Sequence, residues 1–279
     1  MLHSFPGGKD GASPLAGLIR DANGNVYGTI IGGGGTGCFD SHGCGVVFKV
    51  NSSDKETRLH TFSGGSDGGN PQSDLIRDAN GNIYGTTTSG GDASCDAPYG
   101  CGVAFKLNPK GVYSVLHTFT GGTDGANPPA GLIRDASGDF YGTTVAGGAN
   151  GCGTIFKLDK AGTVTALYNF ACGTDGFHPS ASLIRDSKGN LYGVTRYGGD
   201  LLCYNNSGCG VVFELSPTGV YSVLHAFAGP PDDGAVPLGS LLRDGAGNLY
   251  GTTIYGGSDV SDCANNLPPG CGVVFKITP

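Results

Sequence analysis

The chain has 279 residues, of which 54 are glycine, one is methionine and none is tryptophan; 14% are charged and 38% hydrophobic. Such a chain can bury a core but must turn often, the profile of many short strands joined by glycine turns. A formal net charge of -7 argues against nucleic acid or an anionic membrane surface as the main partner, and no apolar run approaches the roughly 20 residues that span a bilayer.

The chain opens on "MLHSFPGGKDG", which has neither the basic nor the apolar segment of a secretion signal. From Leu18 runs "LIRDANGNVYGTI", and the pattern returns from Leu75, Leu132, Leu183 and Leu241, successive copies starting 57, 57, 51 and 58 residues apart. Each copy reads as four short strands. Strand a ("GLIRD") leads through a tight turn ("ANGN") to strand b ("VYGTT"). A long Gly/Cys loop then leads to strand c ("CGVVFKL"), and a short turn ("NPKG") to strand d ("YSVLHTF"). Four antiparallel strands per unit of this length predict a propeller blade, and five copies predict an all-β, five-bladed β-propeller filling residues 1–279 as one domain. The blades are expected at about 14–62, 71–119, 128–170, 179–227 and 237–279, the last completed by residues 2–5. That completion rests on the ends: "LHSF" is the end of a strand d, and "VVFKITP" is a strand c left without one. The N-terminal strand would therefore close the ring and remove two exposed sheet edges.

Ten cysteines fall as near neighbours, Cys38/Cys44, Cys95/Cys101, Cys152/Cys172, Cys203/Cys209 and Cys263/Cys271. Neither CxxC spacing nor a His-x3-5-His partner supports zinc, so five disulfides and export are expected, with the signal peptide removed from or left out of this chain. Closing a loop of about seven residues removes only roughly 2–2.5 kcal/mol of unfolded-chain entropy. The staples should fix loop shape more than fold. The third repeat has lost its first cysteine, so Cys152 is expected to reach Cys172 in the next d–a loop.

The repeat, as in "LIRDANGNIYGTT" followed by "GCGVAFKLNPKGVYSVLHTF", resembles the "GloVer" tandem-repeat proteins of bacteria over essentially the whole chain. The resemblance implies an exported bacterial protein, tethered by one of several alternative C-terminal anchors. It brings no established activity.

In a propeller the long b–c and d–a loops share one face, and binding residues concentrate on such loops. The d–a loops repeat an Asp-Gly pair at Asp10, Asp67, Asp124, Asp175 and Asp233. These are candidate sites for sugar hydroxyls, or else aspartates capping Asx-type turns. One carboxylate per loop is thin for calcium, which takes six to eight oxygens, and no metal or cofactor is expected. Strand d ends with His3, His60, His117 and His225, with Tyr168 in the fourth position, either ligand donors or packing residues. Tyr27, Tyr84, Tyr141, Tyr192 and Tyr250 read as packing residues with a hydroxyl partner. The Arg-Asp pairs that end strand a, from Arg20/Asp21 to Arg243/Asp244, read as ties between blades and turn caps.

The fourth repeat breaks the pattern with Phe177, His178, Arg196, Tyr197 and Asp200, and with Glu214 where the other copies have lysine. Asp175, Asp200 and Glu214 are the weak catalytic candidates, since glycosidases need two carboxylates about 5–10 Å apart. No serine-nucleophile elbow, HExxH or phosphate loop occurs. The reading that results is a multivalent binding module for carbohydrate, with Tyr197 and the loop Asp and His residues in contact with a glycan or a cell-surface or matrix component. Alternatives are a structural or self-associating surface protein and a glycan-active enzyme centred on the fourth blade.

Overall fold

The computed structural model describes residues 2–34, 43–258, 263 and 269–278. Among the described residues the chain is all-β. The first repeat supplies β1 (Ile19–Arg20), β2 (Val26–Ile30), β3 (Val46–Val50) and β4 (Glu56–Thr61), and the second β5 (Ile76–Arg77), β6 (Ile83–Thr87), β7 (Val103–Leu107) and β8 (Tyr113–Thr118). The third supplies β9 (Ile133–Arg134), β10 (Phe140–Thr144), β11 (Thr154–Leu158) and β12 (Val164–Asn169). In the fourth are β13 (Phe177–Pro179), β14 (Ile184–Arg185), β15 (Leu191–Tyr197), β16 (Val211–Leu215) and β17 (Tyr221–Ala226), and in the fifth β18 (Gly234–Pro237), β19 (Leu242–Arg243), β20 (Leu249–Gly256) and β21 (Val274–Ile277).

Each of the first four repeats contains one antiparallel sheet in the expected order a-b-c-d, such as β1-β2-β3-β4 and β5-β6-β7-β8, and the fifth has a, b and c as β19, β20 and β21. By internal packing the chain makes two compact units, residues 1–140 with 158–165 and residues 141–157 with 166–279, and the third repeat's residues are divided between them.

The repeated Tyr-Gly-Thr of strand b has a packing cause. In register, Gly85 of β6 lies opposite Phe105 of β7. A Cβ on Gly85 would meet the Phe105 ring at 2.8 Å and Leu75 at 2.9 Å, so the missing side chain is the space those two fill. Gly193 lies in the same way beneath Phe213 and Leu183. Phe105, Phe213, Leu75 and Leu183 are buried, and they recur because every sheet needs the same filling.

Two features depart from the expectation. The fourth and fifth repeats carry additional short strands, β13 and β18, built from the d–a loops and paired with lengthened strands β15 and β20. In the first two repeats the same contact is only an isolated bridge, Ala12 with Gly32 and Gly69 with Ser89. The second departure is at the ends: Leu2–Phe5 form no strand, and β21 pairs with β20 alone. Val274 of β21 is 81% exposed, whereas Ala104, its counterpart in β7 beneath strand β8, is fully buried. Phe5 nevertheless packs edge-on to Phe48 at 5.0 Å, as Phe62 packs on Phe105 at 5.5 Å. The segment thus fills the packing position of a strand d without the ladder hydrogen bonds that would make it one.

Among the described residues four disulfides form, Cys95–Cys101, Cys152–Cys172, Cys203–Cys209 and Cys263–Cys271. Cys38 lies outside the described residues. No helix is long and apolar enough to cross a membrane among them.

Candidate functional site

The d–a loop aspartates come together with the strand-d residues of their own repeats. His60 Nε2 meets Asp67 Oδ2 at 3.2 Å, His117 meets Asp124 at 2.9 Å and His225 meets Asp233 at 3.0 Å. In the fourth position the Tyr168 hydroxyl donates to Asp175 at 2.9 Å. The same carboxylates accept the backbone N–H of Ser63, Thr120, Ala171 and Ala228, and also the Ser63 and Thr120 hydroxyls. Each pair therefore locks the end of strand d to the loop that follows. Asp10 makes no such pair with His3, whose Nε2 is buried without a partner.

A second repeat's tyrosine completes the lock. Tyr113 stacks on His60 with centroids 3.8 Å apart and donates its hydroxyl to the Asp67 carbonyl at 2.6 Å. Tyr221 does the same with Tyr168 at 3.9 Å and the Asp175 carbonyl at 2.5 Å. Burial pushes both hydroxyls above the usual phenol range and holds them as donors. Burial likewise lowers the His60 ring, against the pull of Asp67.

The staples act on the same loops. In the second repeat a Cβ on Gly121 would meet Cys95 Sγ at 2.5 Å, and in the fourth a Cβ on Gly229 would meet Cys203 Sγ at 2.6 Å: the glycine of the d–a turn lies directly on the disulfide of the b–c loop. In the third repeat that turn position is Cys172, with φ 65°, and it bonds covalently to Cys152. One covalent link replaces one packing contact. The carbonyl of the second loop cysteine then receives the next d–a loop: the N–H of Asn70 donates to Cys44 at 2.9 Å, Asn127 to Cys101 at 2.8 Å, His178 to Cys152 at 3.4 Å and Val236 to Cys209 at 2.8 Å.

On this framework the irregular residues of the fourth repeat converge. β13 and β15 set Phe177 directly across from Tyr197, with ring centroids 5.4 Å apart. His178 lies edge-on to Tyr197 at 5.7 Å, and Tyr204 stacks on it at 5.7 Å with the ring planes 12° apart. The exposed Arg196 guanidinium sits 5.1 Å from the Tyr197 centroid. Burial, and then the Arg196 charge, push the His178 ring below its usual range, so at neutral pH it is an uncharged hydrogen-bonding group. Tyr204 belongs to the Cys203–Cys209 loop, and Tyr204, Asn205 and Asn206 all have positive φ, at 48°, 54° and 65°. Three consecutive non-glycine residues in that region are held there by their surroundings. The two asparagines are exposed and Leu202 is 90% exposed beside them.

The geometry thus joins Phe177, His178, Arg196 and Tyr197, which the sequence singled out, and adds Tyr204, which it did not. Asp200 borders the cluster, but its carboxylate caps its own loop through the Leu202 N–H at 3.0 Å. Asp175 is taken up by Tyr168, Ala171 and Gly173. Glu214 accepts the Tyr192 hydroxyl at 3.2 Å near the other end of the sheet. No group of three or more potential metal ligands forms among the described residues.

Residues 94–279 match the sequence model of the Gloeobacter/Verrucomicrobia repeat. The chain belongs to that family. No curated protein sequence matches it. Solved structures similar to this Gloeobacter/Verrucomicrobia repeat protein include the luciferin-regenerating enzyme, 14% identical with a TM-score of 0.54, over 96% of this chain and 92% of that one. A gluconolactonase from Xanthomonas campestris is 14% identical with a TM-score of 0.50, over 94% and 71%. A structure named as an extracellular domain of a one-component system from B. thetaiotaomicron is 16% identical with a TM-score of 0.54, over 89% of this chain and 29% of that one. At these identities the likeness is one of fold.

Proposed function

We propose that this repeat protein is an exported, five-bladed β-propeller that binds carbohydrate through its b–c and d–a loops, with the fourth repeat's aromatic cluster as the main contact. The observation that carries this reading is the half-exposed stack of Tyr197 on Tyr204, flanked by Arg196, Asn205 and Asn206 on a disulfide-held loop. A rigid apolar ring face bordered by amide and guanidinium donors suits a sugar ring and its hydroxyls, and holding the loop beforehand lowers the entropy lost on binding. The repeated Asp67, Asp124, Asp175 and Asp233 pairs hold the d–a loops of their own repeats in place, and further weak contacts from other repeats would add avidity. Five copies of the a-b-c sheet and the recurring link from a d–a loop N–H to a cysteine carbonyl support the five-bladed reading. Four disulfides support export.

The test is a glycan array on the oxidised protein, followed by calorimetric titration of the best ligand into Tyr197→Ala and Tyr204→Ala. Each variant should weaken binding tenfold or more while the far-ultraviolet spectrum stays unchanged. No glycan bound, or binding indifferent to both changes, would remove this site. A second reading, self-association, draws on the unpaired outer edge of β21 and the exposed Val274. It requires a molecular mass that rises with protein concentration.

A further inference from the structure

The tight turns of the first and second repeats, a–b and c–d, enclose a cavity of roughly 270 Å³. It contains two cations, Lys49 and Arg77, and one carboxylate, Asp21. That carboxylate is already saturated: it accepts the N–H groups of Asn23 and Asn25 at 3.0 and 2.9 Å, the Asn25 amide at 2.8 Å and the Tyr27 hydroxyl at 2.9 Å. Among the described residues neither cation forms an ion pair. Lys49 only overlies the Tyr27 ring, 5.8 Å from its centroid. Asn108 spends its side-chain oxygen on the N–H groups of Lys110 and Val112, which leaves its amide donor for the cavity. Leu59 and Pro109 supply an apolar wall.

In the fourth repeat the charged groups at the same positions are partnered within the chain. Glu214 stands where Lys49 does and takes the Tyr192 hydroxyl, while Arg243 lies 4.0 Å from Asp186. The protein thus carries one version with unpaired positive charge and one with the charge reversed. We propose that the cavity of the first repeat binds an acidic monosaccharide of the hexuronate class, its carboxylate between Lys49 and Arg77 and its hydroxyls on Asn108 and Asn23. The space is too large for a bare inorganic anion, and the mixture of charged, amide and apolar walls fits a sugar ring with one negative group. This site is independent of the Tyr197 cluster.

Isothermal titration with glucuronate, glucose and acetate tests it. Glucuronate should bind at least tenfold tighter than either glucose, which lacks the charge, or acetate, which lacks the ring. Lys49→Glu, the residue the fourth repeat already tolerates, should lower that affinity tenfold or more, and Lys49→Gln should lower it by less. Thermal unfolding of each variant checks that it folds. Glucuronate binding no tighter than glucose or acetate, or binding unchanged in both Lys49 variants, overturns the proposal.

Discussion

The aspartate ending strand a is the residue whose titration bears most directly on stability. Hydrogen bonds led by the Asn25 side chain hold the Asp21 carboxyl at about 2, and those led by Asn248 hold Asp244 at about 2, both below the ordinary 3.8. Asp78 and Asp186 are pushed up by burial, but their asparagine and tyrosine donors outweigh it and leave them lowered too. A carboxyl lowered on folding contributes stability that is fully present above its unfolded pKa and is lost as pH falls through the folded one. The melting temperature should therefore hold steady above about pH 5 as far as these groups decide it, then drop between about pH 4 and 2. Asp21→Asn should melt lower than the parent at pH 7 and show a shallower acid slope, the two curves converging near pH 2. Parallel curves over that range would show that Asp21 is not a source of the acid sensitivity.

At the scale of the element, the loop staple in the third repeat is the informative case. Gly121 and Gly229 rest on disulfides, whereas Cys172 occupies the equivalent place and forms one. Restoring the other arrangement in part, with Cys152→Ala and Cys172→Gly together, should cost about 3 kcal/mol, the loop-closure entropy of a loop near twenty residues. Urea unfolding measures it: a loss well under 1 kcal/mol would mean that packing, not chain restriction, holds this loop. The Cys152–Cys172 pairing was legible beforehand because a missing cysteine and a displaced one leave a single local solution. The four-strand units were legible because turn residues and alternating apolar residues repeat five times. β13, β18 and the Tyr197–Tyr204 stack were not. They depend on where d–a and b–c loops of unrelated sequence meet across a lengthened strand, and glycine-rich loops carry no periodicity from which to read that meeting. The roles of Asp67 and its equivalents were left open by sequence for a related reason: an aspartate before glycine suits a ligand and a turn cap alike, and only the His60 and Ser63 distances show how fully the turn uses it.

For the whole molecule, the prediction to test is that the N-terminal segment supplies the strand that β21 lacks. Phe5 on Phe48 repeats the packing of Phe62 on Phe105, and the seven-residue spacing of His3 and Asp10 repeats that of His60 and Asp67. Residues 2–5 thus have the sequence and the packing of a strand d, and β21 has the free edge of a strand c. His3 Nε2 is buried without the loop-aspartate partner that His60, His117 and His225 have. In the second repeat Val103 pairs with Thr118, so the equivalent cross-strand positions are Val273 and Ser4. Ser4→Cys with Val273→Cys should therefore oxidise to a bridge between residues 4 and 273, readable by peptide mapping. A bridged monomer places the N-terminal strand on the last sheet of its own chain and makes the five sheets a closed ring. Bridged dimers instead mean that the strand is exchanged between copies, and the exposed edge becomes a route to assembly. A mixture of free thiols under mild oxidant would remove the closing strand altogether, leaving β21 as an edge that some other chain must cover or that charge and twist must keep apart.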